Sequence, residues 1–77
     1  MTLADLKPGE RASIVAIDVT DPAVQRLMVL GLVEGAELTF LRRSLGGDPV
    51  EVRLYGAAIS LRREQASRFE VATHPRQ

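Results

Sequence analysis

The sequence predicts a mainly β domain, a small five-stranded barrel with one inserted α-helix. The chain has 77 residues, enough for one modest core and no second domain. One segment carries helix-start and helix-stop signals around an apolar face, while the rest breaks into short alternating or β-branched runs between turns marked by glycine and proline. Five short strands are too few for an immunoglobulin-type sandwich, and a single helix does not supply the strand–helix repetition of a parallel sheet. Closure into a barrel hides the edges of such strands.

The elements follow in order. After Leu3 and Leu6, Lys7-Pro8-Gly9-Glu10 is a turn. Residues 12–17 are rich in β-branched side chains and alternate weakly, as a strand covered on both faces does. Asp21 is placed to cap a helix whose first position is Pro22, where a missing N–H does no harm. Val24, Leu27 and Met28 share one face, Leu30 adjoins it, and Gly31 supplies a left-handed stop, so the helix ends at Leu30 or Gly31. A link over 32–35 leads to a strand over 36–43, with Ala36, Leu38 and Phe40 on one side. Gly46-Gly47-Asp48-Pro49 turns the chain into a cleanly alternating strand over 50–55, with Val50, Val52 and Leu54 inward. Gly56 breaks it. Ala57, Ile59 and Leu61 form a fourth strand, residues 62–67 a helical turn at most, and residues 69–71 the last strand. One domain over 1–72 and a flexible tail over 73–77 are therefore expected.

Composition excludes several classes of function. There is no cysteine, which removes disulfide scaffolds, zinc fingers and iron–sulfur proteins. Formal net charge is zero, unlike a strongly basic nucleic-acid binder. No apolar run is long enough to span a bilayer, and the first ten residues lack the basic and apolar regions of a signal peptide. A cytoplasmic protein with no direct membrane insertion is expected.

Catalysis needs a positioned base or nucleophile. The single histidine, His74, falls in the predicted tail and reads as a solvated residue; the serines sit in no nucleophile motif. Asp5, Asp18, Asp21 and Asp48 are scattered, and Glu34 and Glu37 have no His or Cys beside them, so no metal site, no cofactor and no enzyme are expected. Gly46-Gly47 precedes a strand rather than opening a helix, which makes it a hairpin turn and not a phosphate cradle. Charge is unevenly placed. Residues 1–38 hold three basic and six acidic side chains, net −3, whereas residues 39–77 hold seven arginines against four acids, net +3. Arg42-Arg43 and Arg62-Arg63 dominate the basic half, but in a strand the members of such a pair point to opposite faces. Phe40 and Phe69 share the parity of the core, and Tyr55 does not. One exposed aromatic is too few for a stacking surface that binds single-stranded RNA.

The segment Arg26-Leu27-Met28-Val29-Leu30-Gly31-Leu32-Val33-Glu34-Gly35, followed by Gly47-Asp48-Pro49-Val50, Gly56 and Ile59-Ser60-Leu61-Arg62-Arg63-Glu64-Gln65-Ala66, resembles the FeoA family of ferrous iron transport proteins. The opening Leu3-x-x-Leu6-Lys7-Pro8-Gly9-Glu10 is similar too, and the resemblance runs from about Leu3 to Val71. Glu34 departs from it where the family often has proline. The resemblance implies an SH3-like barrel and a non-catalytic accessory role at the cytoplasmic face of bacterial Fe²⁺ uptake. The implied partner is FeoB, a membrane transporter with a cytosolic GTP-binding region. Contact is expected through an apolar surface of Leu30, Leu32, Val33 and Tyr55 with a charged rim at Arg62 and Arg63. The alternative is a small-barrel nucleic-acid-binding or metal-regulator accessory domain, favoured by the basic C-terminal half and disfavoured by zero net charge.

Overall fold

The computed structural model describes residues 1–74. Its strands are β1 (Arg11–Ile17), β2 (Glu37–Arg43), β3 (Val50–Leu54), β4 (Ala57–Leu61) and β5 (Phe69–Thr73). They form one antiparallel sheet in the order β4-β3-β2-β1-β5. Helix α1 (Pro22–Val29) lies between β1 and β2, and the short helix α2 (Arg63–Ala66) between β4 and β5. Register shifts between Ile14 and Ala16 and between Phe40 and Arg42 bend β1 and β2, which curls the sheet around one core. The mainly β, SH3-like architecture with one principal helix is the predicted one. The sheet approaches a barrel without closing, so β4 and β5 remain edges.

The core is wholly apolar. Leu3, Leu6, Val24, Phe40, Val50, Val52 and Phe69 are fully buried, and no polar or charged residue joins them among the described residues. Alternation in β2 and β3 accounts for most of it: Leu38 and Phe40, then Val50, Val52 and Leu54, point inward. In β4 the predicted parity fades. Ala57 is exposed and Ile59 half-buried, because this strand has a neighbour on one side alone.

Helix α1 begins and ends by the expected chemistry. The Asp21 carboxylate accepts the Ala23 N–H at 2.8 Å. At the other end Gly31 N–H donates to Met28 O at 3.0 Å and Leu32 N–H to Leu27 O at 3.3 Å. Those two bonds form a Schellman stop around Gly31, whose φ is +117°. A β-carbon on Gly31 would stand 3.0 Å from Leu54 Cδ2, so the helix end meets β3 through bare backbone.

Ahead of α1, Asp18 is a fixed point. Its carboxylate accepts from the Thr20 hydroxyl at 2.7 Å and from Arg68 Nη1 at 2.7 Å. The Thr20 hydroxyl first, then Arg68, hold its pKa down at about 2. Arg68 also meets Glu64 at 2.6 Å, and Glu64 above all raises the arginine's pKa beyond its ordinary value.

The chain's last stretch differs from the expected flexible tail. β5 runs through Thr73, and His74 N–H donates to Arg11 O at 3.0 Å. The His74 ring lies 2.7 Å from Ser13 Oγ and 3.2 Å from Glu37 Oε1, so this histidine is fastened to the sheet rather than free in solvent. Residues 75–77, the remainder of the predicted tail, lie outside the described residues.

Candidate functional site

Tyr55 and Gly56 form the two-residue loop between β3 and β4, closed by the Leu54–Ala57 pair. Their φ angles are +50° and +82°, the all-positive backbone of a type I′ turn, whose twist matches that of the flanking strands. Glycine, asparagine and aspartate suit that first position. A tyrosine there costs about 1 kcal/mol, and such strain is characteristic of functional positions. The side chain so placed is 78% exposed. It is the sole non-glycine residue with positive φ among the described residues.

The loop faces the end of α1. Tyr55 Cε2 stands 3.9 Å from where a β-carbon on Gly31 would be, so the ring covers the Schellman stop. Leu30 is 61% exposed just before that stop and Val33 39% exposed just after it. Val29 is exposed as well, at 87%. The region therefore offers aliphatic and aromatic surface on either side of a glycine, held by a helix stop and a hairpin turn. This apolar surface lies outside the buried core, which is complete without it.

Four of the six predicted contact residues need separate comment. Leu32 is fully buried, and its assignment to the contact surface is corrected: it packs in the core. The residue after a Schellman glycine commonly packs against the helix residue five positions back, here Leu27, which is itself buried. Leu30, the residue just past the end of α1, is exposed, as the expected contact surface requires. Arg62 and Arg63 are exposed but sit apart from the tyrosine. They follow the far end of β4, roughly 15 Å along the hairpin. There, Arg62 lies 4.0 Å from Asp48 Oδ2, and Arg63 N–H donates to Asp48 Oδ1 at 3.0 Å. They form no rim to the apolar surface.

Val29 escaped the sequence reading although a signal existed. It lies about 200° around the helix from Leu27, opposite the buried stripe. The other arginine pair divides as its alternation requires: Arg42 pairs with Glu51 across the strands, whereas Arg43 turns toward the N-terminal segment. No group of three or more His, Cys, Asp or Glu side chains converges on a metal-sized site among the described residues. No helix there is long and apolar enough to cross a membrane.

A family model described as the FeoA domain matches residues 1–73. The Fe(2+) transport protein A/Fe(2+) transporter FeoB fusion protein of Porphyromonas gingivalis is 34% identical over 71 residues, covering 92% of this chain. That match spans 8% of the fusion protein's length. The solution structure of the FeoA protein from Chlorobium tepidum superposes with a TM-score of 0.86 at 43% identity, covering 95% of this chain and 70% of that one. The zinc-complexed FeoA of Stenotrophomonas maltophilia, described as a procaryotic SH3 domain protein, gives 0.81 at 29% identity, covering 94% and 89%.

Proposed function

Because the chain belongs to the FeoA family, whose role lies in ferrous iron transport, we propose that it is a non-catalytic regulatory partner of a FeoB transporter. It docks at the cytoplasmic face, on the transporter's GTP-binding region, through Val29, Leu30, Val33 and Tyr55. The carrying observation is Tyr55: an exposed aromatic ring held in backbone that tyrosine disfavours. An exposed side chain with no role in the core, at a cost to its own turn, supports a role in contact. The P. gingivalis relative, which joins the two proteins in one chain, supports the choice of partner. The apolar surface suits contact energetics concentrated in one aromatic and a few aliphatic anchors.

The test is binding of the purified chain to the transporter, both as its isolated GTP-binding region and as the intact protein in lipid nanodiscs. Val33→Asp and Tyr55→Asp are expected to lose about 2 kcal/mol each, roughly 30-fold in Kd, while keeping the wild-type amide spectrum elsewhere. Folded variants that bind as tightly as wild type would remove this surface from the account.

A further inference from the structure

Tyr55 has a second neighbourhood. It and Gly56 line a groove of about 220 Å³ together with Arg11, Glu37, Leu38, Thr39 and Arg53. Cross-strand register puts Arg11 opposite Thr39 and Thr39 opposite Arg53. All three lie on the sheet's outer face, since their neighbours Ala12, Leu38, Phe40, Val52 and Leu54 are buried. With strands about 4.8 Å apart, the two arginine backbones stand about 10 Å apart across a hydroxyl-bearing residue, a span from which two guanidinium groups can close on one oxyanion.

The charges around the groove are unequal. Arg53 makes no ion pair among the described residues. Arg11 has a loose one, 3.9 Å from Glu37 Oε1. Glu37, the one acid in the groove, has the same Oε1 3.2 Å from the His74 ring nitrogen. An incoming anion thus meets a free guanidinium at Arg53 and displaces a weak contact at Arg11.

We propose that this groove receives the carboxylate of an acidic side chain from the protein segment that docks on Leu30, Val33 and Tyr55. The proposal rests on the docking reading and adds the chemistry of the docked segment: an acidic residue within a few positions of an apolar one, with Tyr55 between their two sites. A carboxylate suits the groove better than a nucleotide phosphate does. The backbone N–H groups of Thr39 and Arg53 belong to a strand ladder rather than to an anion cradle.

The experiment uses two blocked peptides, acetyl-Gly-Leu-Glu-Gly-amide and its Gln counterpart, titrated into the ¹⁵N-labelled chain. The Glu peptide is expected to shift the amides of Arg11, Thr39, Arg53 and Gly56 with a Kd on the order of 1 mM. The Gln peptide should bind at least about fivefold more weakly, and added salt should reduce that preference. Arg53→Gln should abolish the difference between the peptides. Equal shifts from both, shifts elsewhere, no shift from either, or an unaltered preference in Arg53→Gln would each overturn the proposal. A second arm measures Arg53→Glu against the transporter: a loss of about tenfold or more supports use of the groove in docking, and unchanged affinity overturns it. If the Glu peptide fills the groove while the wild-type chain binds the transporter in neither form, the groove's chemistry stands and the docking reading falls.

Discussion

In the N-terminal corner of the molecule, Arg43 donates to Ala4 O at 2.7 Å and to Leu6 O at 2.8 Å, with its guanidinium 4.6 Å over the Phe40 ring. Thr2 bridges to Glu70, Val71 N–H donates to Met1 O, and Leu3 and Leu6 are fully buried. The first residues of the chain thereby cover part of the β5 edge and leave a long cation satisfied by backbone carbonyls. In the corner made by the end of α1 and the β3–β4 hairpin, apolar side chains stand in water and the turn carries strain at Tyr55. On the proposed docking reading, the first corner serves stability and the second serves recognition.

The sharpest way to break that division is at adjacent residues. Leu32→Ala should destabilise the fold by about 2–5 kcal/mol, seen as a lowered urea midpoint. Val33→Asp, one position on, should change stability by no more than about 0.5 kcal/mol while weakening transporter binding. If Leu32→Ala proves mild and Val33→Asp unfolds the chain, the two residues have been assigned to the wrong sides.

Arg43→Ala comes next. It strands two carbonyls and removes a charge-assisted donor, which should cost about 1.5–3 kcal/mol in denaturant unfolding, with the affinity of the folded fraction for the transporter unchanged. Tyr55→Asn is smaller and of opposite sign. Asparagine accepts the left-handed turn, so stability should rise by about 0.5–1 kcal/mol, or roughly 2–8 °C in Tm, as affinity falls. A variant that is both more stable and less able to bind is what a division of labour requires.

The smallest effect concerns acid. The Asp18 carboxylate has its pKa depressed from 3.8 to about 2, so its ionised form favours the folded state. That contribution is present above pH 4 and is lost as pH falls through about 2. Asp18→Asn should therefore flatten the pH dependence of stability between those limits, read by thermal melts across the range, and leave docking untouched.

Much of the fold was legible in the sequence because its signals are local. Asp21-Pro22 and Gly31 bound α1 by capping and by a left-handed stop, and alternation in 50–54 separates core from surface within one strand. Tyr55's exposure followed from that same parity. Its positive φ did not, since tyrosine carries no turn signal and the two-residue loop is defined by the pairing of Leu54 with Ala57. Leu32 went astray because its burial depends on the Schellman geometry and not on helical spacing. His74 was out of reach for another reason: its partner Ser13 is 61 residues away in sequence. The Arg11–Thr39–Arg53 row likewise exists only through register across three strands. The candidate surface was thus half legible, in the residues that local periodicity turns outward, and silent where distant segments meet.

The most direct measurement is an amide chemical-shift map of the labelled chain bound to the intact transporter. The account predicts perturbation at Leu30, Val33, Tyr55 and Gly56, with the amides of Leu3 to Leu6 unmoved. Perturbation centred on the N-terminal corner, with the α1–hairpin corner silent, would contradict it.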